Sequence, residues 1–128
     1  MIAVDTNVVI RLLVGDDAGQ SEQAVELFRR ETIFLATSVL LEAEWVLRRG
    51  YREQPANIAH ALEGLIGLPN VTSEDEAGVR QALAWHRAGM DFADALHLAA
   101  GARATAFITF DRDMIKVGRR LGLRVAGP

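Results

Sequence analysis

The chain has 128 residues, half of them hydrophobic, a net charge of −3 and no cysteine. One compact domain over residues 1–128 with a substantial core is expected, and disulfide frameworks and thiolate metal sites are excluded. No run approaches the roughly 18–20 apolar residues of a membrane span, and the opening Met-Ile-Ala-Val-Asp has neither the basic nor the apolar region of a signal peptide, so a cytoplasmic protein without membrane association is expected.

Residues 2–4 are a short apolar run that reads as a buried strand ending at Asp5. Thr6 and Asn7 suit the N-cap of a helix over 6–14, since both side chains accept backbone N–H bonds. Gly15-Asp16-Asp17 breaks the chain, with the two acids as turn and cap residues. A second helix is predicted over 21–31 and a second strand over 33–36. Thr37 or Ser38 caps a third helix to Arg49, which Gly50 ends. Pro55 opens a fourth helix to Leu65, and residues 71–73 form a weak strand. Helices over 76–88 and 92–102 follow, the second capped by Asp91. Residues 106–110 are the clearest strand, and a short helix over 113–121 and a strand over 123–126 complete the chain. Short, continuously apolar strands alternating with helices predict an α/β fold whose mainly parallel sheet of about five strands is covered by helices on both faces.

In open parallel sheets, ligand sites lie at the carboxyl ends of the strands. Asp5 follows the first strand and Asp111 the strand over 106–110. Glu42 lies just past the first turn of the helix after the second strand, and Asp94 lies in the first turn of the helix that begins at Phe92. At about 100° per residue, Val39, Ala43, Val46 and Leu47 make one apolar face of the third helix. Glu42 falls at its border, where an acid is costly unless something neutralises it. A hard divalent cation with oxygen ligands would do so, and such ions cleave phosphodiesters by activating water. With no metal bound, carboxylates sharing a pocket should raise at least one pKa.

Simpler roles stand beside these. Asp91 and Asp94 also fit a capping pair. Glu44 is expected to face solvent. His60 and His86 are expected at the surface or partly buried, and His97, one turn after Asp94, near the cleft in a packing or supporting role. Thr109, one strand period before Asp111, points to the same side and is placed to orient a carboxylate or a water. Leu41 and Trp45 are either packed against a neighbouring helix or form a patch for a partner. The acidic net charge does not exclude a nucleic-acid substrate. Thirteen of the fourteen basic residues are arginine, clustered at Arg29-Arg30, Arg48-Arg49 with Arg52, and Arg119-Arg120 with Arg124, and arginine suits bidentate phosphate contacts.

The opening Ile-Ala-Val-Asp-Thr-Asn-Val-Val-Ile-Arg-Leu-Leu-Val-Gly-Asp-Asp resembles the start of VapC toxins, the PIN-domain ribonucleases of bacterial VapBC toxin–antitoxin pairs. Ser38-Val-Leu-Leu-Glu42, Asp91-Phe-Ala-Asp94-Ala-Leu-His-Leu-Ala and Thr109-Phe-Asp111-Arg-Asp113-Met resemble the later motifs, in order and over nearly the whole chain. The resemblance implies a PIN-like three-layer α/β/α sandwich. It implies Asp5, Glu42 and Asp94 as the main metal-binding catalytic acids, with Asp111 as the fourth and Asp113 competing for that place. Thr6, Asn7, His97 and Thr109 are candidates to support these ligands. It also implies Mg2+ or Mn2+ as cofactor and RNA as substrate, the cut leaving a 5′ phosphate on the downstream fragment. The implied partners are a VapB-type antitoxin, a second copy of the chain, and operator DNA in a larger toxin–antitoxin assembly.

Three other readings compete with this one. A haloacid-dehalogenase-like phosphatase needs Asp-x-Asp after its first strand, and position 7 is Asn. A receiver domain needs a lysine at a strand end, and the sole lysine, Lys116, lies in the last helix. A non-catalytic PIN-like scaffold that only binds a partner or RNA does not require all four acids.

Overall fold

A computed structural model describes residues 1–128, and within it the chain forms two compact units, residues 1–76 and 77–128. In the first unit β1 (Ile2–Ala3), β2 (Ile33–Leu35) and β3 (Val71–Ser73) form a parallel sheet in the order β1-β2-β3. Ile2 pairs with Ile33, and Ile33 in turn with Val71. Parallel neighbours need long crossovers. Here these are the helices α1 (Thr6–Val14) and α2 (Ala18–Arg30), then α3 (Thr37–Arg49) and α4 (Pro55–Ile66). α1 packs on α2 and α3, α3 on α4, and α4 on β3. Val9, Phe28, Ile33, Leu35, Leu40 and Leu62 are among the buried residues of this unit.

The second unit begins within α5 (Glu76–Arg87) and continues through α6 (Phe92–Ala100), β4 (Phe107–Ile108), α7 (Arg112–Arg120) and β5 (Val125–Ala126). β4 and β5 pair in parallel, and α7 packs on β5. Gly118 permits that approach, because a Cβ there would lie 2.6 Å from Val125 Cγ2. Seven helices and five short, parallel-paired strands make the expected α/β fold, with the strands paired as a three-stranded and a two-stranded ladder.

Several local expectations change. β1 is an exposed edge strand, not a buried one. Its apolar letters match a central strand, but β2 takes the central place. Asp5, not Thr6 or Asn7, caps α1, its Oδ1 accepting from the Thr6 N–H at 2.7 Å, and Thr6 is buried. Neither hydroxyl caps α3: Ala36 is the N-cap residue, and the Thr37 N–H donates to Glu74 Oε1 at 2.8 Å. Glu44 is 1% exposed instead of facing solvent, and Arg48 Nε donates to its Oε2 at 2.9 Å. His86 is buried as well. Its Nδ1–H donates to the Met90 carbonyl at 2.9 Å, and its ring stands 5.6 Å from that of Phe92. Together with the Arg120 guanidinium, which donates to the Ala88 carbonyl, it ties down the turn that leads to Asp91.

Candidate active site

In the first unit, β1 and β2 run parallel, so their carboxyl ends share one edge of the sheet. Asp5 sits there as the N-cap of α1. Glu42 reaches it from the second turn of α3, the helix that follows β2. Both acids are exposed and line one cavity of about 290 Å³ together with Thr6, Asn7, Ile10, Arg11, Val46 and Tyr51. Arg11 and Tyr51 join the residues expected from the sequence. Arg11 lies one helical turn after Asn7, a spacing that could have flagged it, whereas nothing local to Tyr51 marks it out.

In the second unit, α6 starts with Asp91 as N-cap, its Oδ2 accepting from the Asp94 N–H at 3.2 Å. The capping role expected of Asp91 is therefore present, and it holds Asp94 in the first turn. Asp111 caps α7, with Oδ1 accepting from the N–H groups of Asp113 at 3.0 Å and Met114 at 3.1 Å. Thr109 Oγ1 in turn accepts from the Asp111 N–H at 3.0 Å, so this hydroxyl fixes the backbone that carries the acid. Asp113 lies in the first turn of α7. His97 is exposed at the far end of α6.

The Asp94 carboxyl has its pKa raised. Partial burial is the largest cause, followed by the negative charges of Asp91 and Asp111, while His97 pulls the other way. Asp111, and not Asp113, is thus the acid from the α7 start that Asp94 feels. An anionic pocket of this kind is unfavourable by itself and favourable around a cation. The donor set is all oxygen, as hard divalent ions prefer. The oxygen donors of Asp91, Asp94 and Asp111 in the second unit, and separately those of Asp5 and Glu42 in the first, fit the chemistry of a divalent metal, although no group of three or more His, Asp or Glu side chains is gathered tightly enough to hold an ion as placed.

The raised pKa has a consequence for stability. A carboxyl that binds its proton more tightly in the folded state contributes stability at low pH that is lost as pH rises through its folded pKa. In chelator, Asp94→Asn should therefore be more stable to heat than the unsubstituted chain at pH 7. The gap should close as pH falls toward 3.8, the ordinary aspartate value. Thermal melts across that range check this, and a variant less stable at pH 7 would contradict it.

The chain is an α/β protein whose parallel strands carry acids at strand ends and helix starts. The chain belongs to the PIN domain family, whose model matches residues 2–120 and so runs through both units. PIN domains are generally metal-dependent nucleases, and the chain has the nuclease-like fold of that family. Among curated proteins, none matches the chain significantly. No helix is long and apolar enough to cross a membrane.

Proposed function

We propose that the chain is a metal-dependent endoribonuclease, the VapC-type toxin of a type II toxin–antitoxin pair acting in the cytoplasm. The observation that carries the reading is the Asp5–Glu42 cavity at the carboxyl edge of a parallel sheet, in a chain whose family match extends over the Asp94 and Asp111 motifs. Asp5, Glu42, Asp94 and Asp111 would hold Mg2+ or Mn2+. Such an ion, when bound, would render a water nucleophilic near neutral pH and offset charge developing on the phosphate. The chain's own contribution is to hold the carboxylates ready. Thr6 offers Asp5 a backbone donor, Thr109 fixes the Asp111 backbone, and the first turn of α6 presents Asp94. With no cysteine in the chain, hydrolysis by water without a covalent enzyme intermediate is the expected route.

The partner reading rests on a second cavity, about 730 Å³, between α1 and α2. Val8, Ala24 and Leu27 supply its apolar lining, and Arg11, Glu22, Glu26 and Arg30 are among its charged residues. An amphipathic segment of a VapB-type antitoxin suits such a groove. Trp45, 54% exposed on α3, offers a further apolar contact for antitoxin or for a second copy of the chain in a homodimer, the unit of the larger assembly on operator DNA.

Cleavage of RNA by the purified chain should stop in excess chelator and return with Mg2+ or Mn2+. Undiminished cleavage in chelator would rule out the metal-dependent reading.

A further inference from the structure

Two carboxylates in a cavity of about 290 Å³ repel the phosphodiester they are meant to cut. The same cavity contains one cation, Arg11. Its guanidinium is held on two sides: Nε donates to Gln20 Oε1 at 2.7 Å, and Nη1 donates to Asp16 Oδ1 at 2.9 Å. The other Asp16 oxygen accepts the Tyr51 hydroxyl at 2.7 Å. Asp16 thus gathers donors from two lining residues, one on α1 and one on the turn after α3, without itself lining the cavity. Backbone turns set both ends of this arrangement. Gly15, at φ +72°, ends α1 and presents Asp16. Arg52, at φ +55°, follows Tyr51 in the turn that closes α3.

A forked guanidinium beside a hydroxyl donor is a donor set suited to a phosphate, and a carboxylate is the nearest side-chain substitute for one. Asp16 is 44% exposed and its partner Arg11 31%. An ion pair this open to water holds weakly and can exchange. The Tyr51 hydroxyl first, and the Arg11 charge after it, keep the Asp16 carboxyl below its usual pKa, so it stays anionic at the pH at which RNA would compete with it.

We infer that Arg11 and Tyr51 form a subsite for a backbone phosphate of single-stranded RNA next to the catalytic acids, and that Asp16 occupies it as an internal anion until RNA displaces it. The inference deepens the nuclease reading and rests on it. Arg11 would grip a phosphate adjoining the one that is cut. Asp16 would weaken binding to RNA that engages only part of the site.

The test measures RNA binding, not cleavage. A short labelled single-stranded RNA is titrated with the full-length chain carrying Asp94→Asn, in magnesium, over a series of salt concentrations. Adding Arg11→Gln should reduce the slope of log affinity against log salt by about 0.7, the value for one phosphate contact on a single strand, and Arg11→Lys should restore it. Adding Asp16→Asn should tighten binding by up to about fivefold, the equivalent of one exposed ion pair. In the variant with both Arg11→Gln and Asp16→Asn, that tightening should vanish. A purely structural lock between α1 and its neighbours would leave the salt slope unchanged and make Asp16→Asn neutral or weaker in binding. Either result overturns the subsite while leaving the nuclease reading standing. The Asp16→Asn arm decides the matter should Arg11→Gln fail to fold. If the Asp94→Asn chain still cut the RNA, or bound none at low salt, the site reading and the subsite would fall together.

Discussion

Replacing Asp94 with Asn should lower RNA cleavage by more than about 100-fold while the protein stays folded. Changing a residue that merely supports a metal ligand commonly costs about 10–100-fold in metal affinity or activity, and loss of charge at Asp94, proposed above as a ligand itself, should cost more. Asn keeps the shape of Asp94 and its place in the first turn of α6, where the Asp91 carboxylate accepts its N–H. What it removes is a carboxylate whose charged form burial and the charges of Asp91 and Asp111 disfavour. Loss of activity should therefore come with a gain in metal-free stability, the two effects having one cause. Asp91→Asn is the control, because asparagine is as good an N-cap as aspartate. It should retain most activity if Asp91 acts as a cap. Initial rates at saturating magnesium, on protein freed of contaminating ribonucleases, decide this. A rate for Asp94→Asn within tenfold of the unsubstituted chain would remove Asp94 from the chemistry.

The strand–helix alternation and the positions of the acids were readable because each depends on short-range physics. Apolar triplets such as Ile33–Leu35 fill a central strand, and aspartates at strand ends double as helix caps, as Asp5 and Asp111 show. What could not be read depends on neighbours distant in sequence. Ile2 and Ile33 look alike locally, yet Ile33 is fully buried and Ile2 is 36% exposed, because sheet order decides which strand is central. Tyr51 is placed against Asp16 by the packing of α3 on α1, thirty-five residues apart in sequence. On α3, apolar residues occur on nearly every side (Val39, Leu40, Leu41, Ala43, Trp45, Val46 and Leu47), so periodicity leaves the centre of the buried face open. The face built on Val39, Ala43 and Val46 put Glu44 in solvent. The buried face is instead Leu40, Ala43, Glu44 and Leu47, with the acid inside it and Trp45 left exposed.

That buried acid leads to the largest stability effect expected from one substitution outside the core. Glu44 and Arg48, one turn apart on α3, form a forked pair: Arg48 Nε lies 2.9 Å from Oε2 and Nη2 lies 3.5 Å from Oε1. The pair is lopsided, since the Glu44 side chain is 2% exposed and that of Arg48 36%. Removing the arginine leaves a carboxylate in the interior without its forked partner. Removing the acid's charge leaves an arginine that can turn its head to water along its apolar stem. Breaking a buried pair from one side typically costs about 3–5 kcal/mol. Arg48→Ala should lie near the lower end, about 3 kcal/mol, because the Arg48 site is itself partly solvated, and Tm should fall by roughly 10 °C. Glu44→Gln, which preserves volume and can still accept from Arg48, should cost less than half as much. Neither change should alter cleavage per folded molecule at temperatures well below the transition, because Glu44 and Glu42 are two residues apart and project from different sides of the helix. Parallel melts of the two variants read the asymmetry directly. A larger loss in Glu44→Gln than in Arg48→Ala would mean that the carboxylate, and not the pairing, carries the stability of this face of α3.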